Sequence, residues 1–338
     1  MPAAAAASLG WAVLATTKES SLPRNLTQTL AAQARELGAE SLSVYWTLLK
    51  VMVPALLVVK ALELAGVTGG LAWLLSPSMQ LVGLPDAMGI VWATVMLTNL
   101  YTAIAVYASF AAQEALTVAQ VTVLASMMLV SHALPVEGAI ARATGVRWHA
   151  TLLVRVGGAL VLGALLNLLY TGLGVLQQPA VLRWQPAPPD GSLATWALDQ
   201  LQLLGTIFVV IVALMTLLRL LRALGVERLM HALLAPVLRL IGIRREAANA
   251  TVIGITLGIS FGGGLLIREA RSGRLTRRDV FLVMTLLGLG HSVIEDTLLV
   301  LLLGADLSGI LWARLAFALL VVTLIARWPL RRAAAPAR

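Results

Sequence analysis

Two histidines, His132 and His291, stand 159 residues apart, and each is followed five residues later by a carboxylate, Glu137 or Asp296. A further carboxylate, Glu295, directly precedes Asp296. All five lie in strongly apolar stretches. There an ionisable side chain costs about 2.5–3.5 kcal/mol or more at mid-helix and marks a functional site by default. Three chemistries fit these residue types. As metal ligands, two imidazoles with two or three carboxylates suit zinc, manganese or ferrous iron, so a bound metal would take His132, His291, Glu137, Glu295 and Asp296. As hydrogen-bonding groups, they would hold a small polar organic solute and could carry a coupling ion, a proton or sodium. As structural groups, each histidine would cap a broken helix and each carboxylate would sit in an ion pair.

The 159-residue offset is not confined to the histidines. It also relates Gly66 to Gly225, Pro77 to Pro236, Gly83 to Gly242, Thr117 to Thr276, Gly145 to Gly304 and Arg155 to Arg314. The chain is therefore a tandem repeat, and its most costly residues recur at matching places. Arg155 and Arg314 should reach the depth of Glu137 and Asp296 by rise per residue, which predicts a structural ion pair in each repeat. His291 and Glu295, spaced i, i+4, share a face if the helix is unbroken, whereas Asp296 lies about 140° from His291. Pro135, between His132 and Glu137, predicts a break in the first repeat.

Composition fixes the setting. Only 12% of the 338 residues are charged and 59% are hydrophobic, with a mean hydropathy of +0.89. Apolar runs of spanning length recur, so the chain reads as an all-α polytopic membrane protein whose partner is the lipid bilayer. The absence of cysteine excludes disulfides, thiolate metal sites and cysteine nucleophiles. The net charge of +9 sits in loops rather than in a nucleic-acid motif, so nucleic acid is not an expected partner. The first fifteen residues lack a basic lead, and no cleavable signal is expected.

Five regions follow: an amphipathic surface segment (1–40), repeat one (41–171), a proline-rich linker (172–194), repeat two (195–329) and a basic tail (330–338). Each repeat predicts three transmembrane helices plus a re-entrant hairpin. Loop arginines set the topology. The connector 219–245 and the loop 268–278 of repeat two are arginine-rich, whereas loops 67–86 and 111–118 of repeat one contain no Lys or Arg. Segment 246–267 must then enter and leave on one side, and the two repeats are inverted, with both termini cytoplasmic in a bacterial inner membrane. Inverted repeats with broken helices are a secondary-transporter signature, so the function read here is transport and not enzymatic catalysis. The hairpin tips, TNLYTA and ITLGISFGGG, add Asn99, Thr102, Ser260 and Gly262 as candidate substrate contacts.

The stretches SHALPVEGAIARATG and GHSVIEDTLLVLLLGAD resemble the Gate or nucleoside-recognition domain family. That family groups concentrative nucleoside transporters, the membrane part of ferrous-iron transporter B and spore maturation proteins. The resemblance implies paired hairpins around a central site, an elevator-like motion and a homo-oligomer. The chain departs from the iron transporters in lacking a G-x-x-x-x-G-K-[ST] loop and membrane cysteines, and it is shorter than the nucleoside transporters. The resulting expectation is a carrier of a small polar solute, nucleoside-like or otherwise, with a divalent transition metal as the alternative cargo. An intramembrane metal-dependent hydrolase or a non-transporting membrane partner protein is the alternative of another class.

Overall fold

A computed structural model describes residues 26–66, 68–111, 114–181, 192–240, 243, 247, 251–252, 254–256, 266–273 and 275–327. Ser260 and Gly262 of the second hairpin tip, the tail 330–338 and residues 182–191 of the linker lie outside them. The chain falls into two compact units, Met1–Glu40 and Ser41–Arg338. Among the described residues every regular element is helical, with one isolated antiparallel bridge between Thr117 and Pro179.

The helices are α1 (Leu26–Leu64), α2 (Thr68–Leu81), α3 (Met88–Leu97), α4 (Leu100–Ala111), α5 (Val118–Ser131), α6 (Leu134–Ala143), α7 (Trp148–Leu173), α8 (Leu193–Ala223), α9 (Val226–Leu240), α10 (Arg277–Gly290), α11 (Glu295–Leu301) and α12 (Ser308–Arg327). Six stretches are long and apolar enough to cross a membrane. Two of them, α5–α6 and α10–α11, are 72% and 83% buried, whereas the other four are 11–28% buried. The histidine-bearing pairs thus form the centre. The remaining spans, with exposed Leu57, Leu165, Leu198 and Leu320 among others, present the apolar perimeter that a bilayer requires.

Both central pairs begin and break in the same way. Thr117 and Thr276 are N-caps with complete capping boxes, closed by Gln120 and Asp279, which satisfies otherwise unpaired helix-start donors. Each helix then ends at its histidine, which is the C-cap. The next residue, Ala133 or Ser292, has φ of 50°. Neither is glycine, so each break holds a left-handed conformation that costs an L-residue about 1–2 kcal/mol. Backbone groups freed at such a break cannot turn to lipid. Ala133 N–H donates to Val95 O and Val293 N–H to Ile255 O, both at 2.9 Å, so the neighbouring short segments hold the breaks.

Helices α3 and α4 pack together and are 10 and 12 residues long, well short of the roughly 20 needed to span. Their junction at Thr98–Asn99 is the predicted first hairpin tip. Each arginine-bearing helix contains a π-helical stretch, Leu153–Gly157 around Arg155 and Ser308–Ala313 just before Arg314. Such insertions often accompany functional sites and are not readable from periodicity.

Candidate functional site

The two helix breaks bring residues from both repeats into one cluster. His132 Nδ1 lies 3.2 Å from Met128 O and 3.1 Å from Leu129 O, while His291 Nδ1 lies 2.6 Å from Leu287 O. A carbonyl only accepts, so Nδ1 of each ring carries the hydrogen and donates. Each Nε2 is left with a lone pair, and the two Nε2 atoms are 3.1 Å apart. Glu137 Oε1 lies 3.2 Å from each of them, and Asp296 Oδ2 lies 3.7 Å from His132 Nε2. All four side chains are buried.

With both rings neutral, all of these facing atoms are acceptors. Two facing lone pairs repel unless a positive centre joins them: a proton in an N–H···N bond or a metal ion. The metal geometry can be checked. Donors about 2.0–2.1 Å from a tetrahedral ion stand ~3.3 Å from one another. His132 Nε2, His291 Nε2 and Glu137 Oε1 make a triangle with sides of 3.1, 3.2 and 3.2 Å, close to one face of that tetrahedron. Asp296 supplies the next oxygen, and the ligand atoms of His132, His291 and Asp296 all fall within 4.8 Å of one another. The donor set therefore fits a first-row divalent cation.

Second contacts fix some of these groups and leave others loose. Arg155, fully buried, donates through Nη1 to Glu137 Oε2 and through Nε to Val130 O at 2.8 Å. Glu137 therefore keeps one oxygen on the arginine and turns the other to the histidines. A cavity of about 20 Å³, large enough for a water, adjoins this pair and is lined by Glu137, Thr151, Arg155 and Thr285 among others. Arg155 Nη2 and Thr151 Oγ1 have no protein partner there.

The second repeat corrects two expectations. Arg314 makes no ion pair with Asp296: its Nε and Nη1 have no partner, and Nη2 reaches only His291 O at 3.5 Å. The helix breaks directly after His291, so the i, i+4 face shared by His291 and Glu295 is lost. Asp296 joins the cluster, while Glu295 instead accepts a hydrogen bond from Tyr101 Oη at 3.4 Å. At the hairpin tip, Asn99 Oδ1 accepts from Thr102 N–H and Oγ1 at 2.9 and 3.2 Å, so both are engaged in starting α4.

One relative matches over nearly the whole length, an uncharacterized membrane protein, YvoD, of Bacillus subtilis (strain 168). It is 31% identical over 288 residues, covering 83% of this chain and 90% of that protein. The chain belongs to the YvoD family of membrane proteins. No family model matches the sequence, and no solved structure does. This YvoD-family chain is thus a multi-pass membrane protein, and what its centre does must be argued from the cluster itself.

Tyr101 and Thr151 are the site residues that sequence reasoning missed. Tyr101 sits two positions after Asn99 in the TNLYTA tip, so the hairpin was singled out but not its aromatic. Thr151 lies one turn before Arg155, a spacing that places both on one helical face.

Proposed function

We propose that the chain is a secondary transporter that carries a divalent transition-metal cation through the central histidine–carboxylate cluster. The observation that carries this reading is the 3.1 Å approach of two histidine Nε2 atoms whose other nitrogens already act as donors. Such a pair binds a cation and has nothing to offer an anion. The organic-solute reading is less well served, because rings this close leave no room between them. The larger cavity nearby, about 120 Å³ beside Tyr101 and Thr206, is lined mainly by Ile, Leu, Val and Ala side chains.

Two contacts support inverted repeats related by a two-fold axis. His132 meets His291, and Tyr45 Oη donates to Leu204 O at 3.0 Å; each joins positions 159 residues apart. A residue touches its own equivalent only near such an axis. Broken helices meeting at an ion site on that axis are the architecture of many carriers, and they agree with the Gate-like resemblance. Both termini would lie in the cytoplasm of a bacterial cell, with hairpins and breaks moving as a unit, in a homo-oligomer. A hydrolase is disfavoured because the carboxylates that would activate water are tied, Glu137 to Arg155 and Glu295 to Tyr101.

Reconstituted proteoliposomes test this. Co²⁺ or Zn²⁺ should enter and quench an internal chelating dye, and the H132A/H291A double variant should not support entry. No metal entry with the wild-type chain, or equal entry with the double variant, would sink the reading.

A further inference from the structure

The least satisfied side chain in the core is Arg314. It has 0% exposure, yet two of its nitrogens have no partner and the third has only a marginal one. A buried guanidinium without partners is strongly unfavourable, so this arrangement persists only if another favours it. An external anion has no access to a residue with no exposed surface.

The internal repeat identifies the missing partners. Arg155 holds the Val130 carbonyl and the Glu137 carboxylate. At +159 these are the Leu289 carbonyl and the Asp296 carboxylate. Both are available. The Val293 N–H that a continued helix would give to Leu289 goes to Ile255 instead. Asp296 Oδ2 has no hydrogen-bond partner, faces His132 Nε2 at 3.7 Å, and lies within electrostatic reach of Arg314.

We propose that Asp296 is a movable ligand that alternates between the histidine pair and Arg314, and that Arg314 draws it off to release the cation. This rests on the cation-binding reading of the same cluster. The arrangement described above is the loaded one, with Asp296 toward the histidines and Arg314 waiting. In the empty protein Asp296 and the Leu289 carbonyl occupy Arg314, as Glu137 and Val130 occupy Arg155. Glu137 is then the fixed ligand and Asp296 the exchanging one. Arg314 is a positioning residue that never touches the ion.

The test uses the full chain in detergent, with Co²⁺ as the probe and its visible absorption as the readout. R314Q removes the competitor for Asp296, so Co²⁺ should bind tighter by about 5- to 150-fold, the usual span of coupling between two sites. In proteoliposomes the same variant should lower both KM and kcat for Co²⁺. R314K, which keeps the charge without the fork, should shift binding the same way by a smaller factor, and it stands in if R314Q does not fold. Unchanged or weaker binding in these variants would overturn the proposal.

A second measurement begins without metal. In cation-free protein the melting shifts of D296N, R314Q and the double variant should be non-additive, and saturating Co²⁺ should make them additive. Additivity in the cation-free protein overturns the movable ligand. Absence of a Co²⁺ spectrum in the wild-type chain sinks the cation reading instead, and the metal-free cycle still decides whether Asp296 and Arg314 pair.

Discussion

Arg155 and Arg314 are equivalent in sequence and unequal in structure. The first is locked to a carboxylate and a carbonyl; the second is equally buried and holds almost nothing. The capping boxes, left-handed break residues, histidine caps and adjoining π-helical stretches agree between the halves, so the difference is local to the arginine and its carboxylate. A duplicated framework thus holds one paired arginine and one unpaired one, which the proposal reads as a rigid and an adjustable half-site. The proposed transport would need both, since a ligand set that never loosens does not let its cargo go.

Mutations of unequal size can break or sharpen that contrast. The largest effect is expected from R155Q, which strips the guanidinium from Glu137 Oε2 in the core and should cost about 3–5 kcal/mol of stability in the cation-free protein. R314Q should destabilise only the cation-free protein; equal, cation-independent losses in melting temperature would erase the distinction. Next, H132A and H291A should each weaken Co²⁺ binding by more than the roughly 10–100-fold that loss of an outer-shell partner costs. Titration of absorption measures this, and similar losses are expected because both rings face the same ion.

A third comparison concerns packing beside the carboxylates. A Cβ on Gly138 would lie 1.9 Å from the Trp148 ring, so G138A should cost about 1–3 kcal/mol. Its equivalent, Thr297, already carries a side chain, and its buried hydroxyl has no partner. T297V should therefore be neutral or stabilising, as thermal unfolding would report. The smallest effect belongs to the shared framework: T117A and T276A should each cost about 1 kcal/mol, by matching amounts.

The sequence makes the framework legible because periodic apolar stretches and repeated costly residues survive without coordinates. His132, Glu137, His291 and Asp296 were all found by asking what lies uncompensated in apolar surroundings. Thr117 and Thr276 stand out in the same way, as a pair recurring at the 159-residue offset. What stayed hidden depends on backbone geometry. The break after His291 has no proline to announce it, and the left-handed residue is Ser292 rather than the glycine before the histidine, so the i, i+4 spacing of His291 and Glu295 misleads. The Arg314 pair follows from rise per residue, which matches depths along the helices but not the direction in which each side chain turns. Tyr101 reaches Glu295 across 194 residues, a contact no local pattern encodes.

The water-sized cavity beside Glu137 and Arg155 adjoins the rigid half-site. A cation that reached the cluster beside it, among the spanning helices, would cross part of the membrane voltage. Moving one elementary charge through 100 mV is worth ~2.3 kcal/mol, and a divalent ion carries two, giving ~4.6 kcal/mol. On the proposed cation reading, the membrane voltage would thus be a direct term in how strongly the cluster loads or empties.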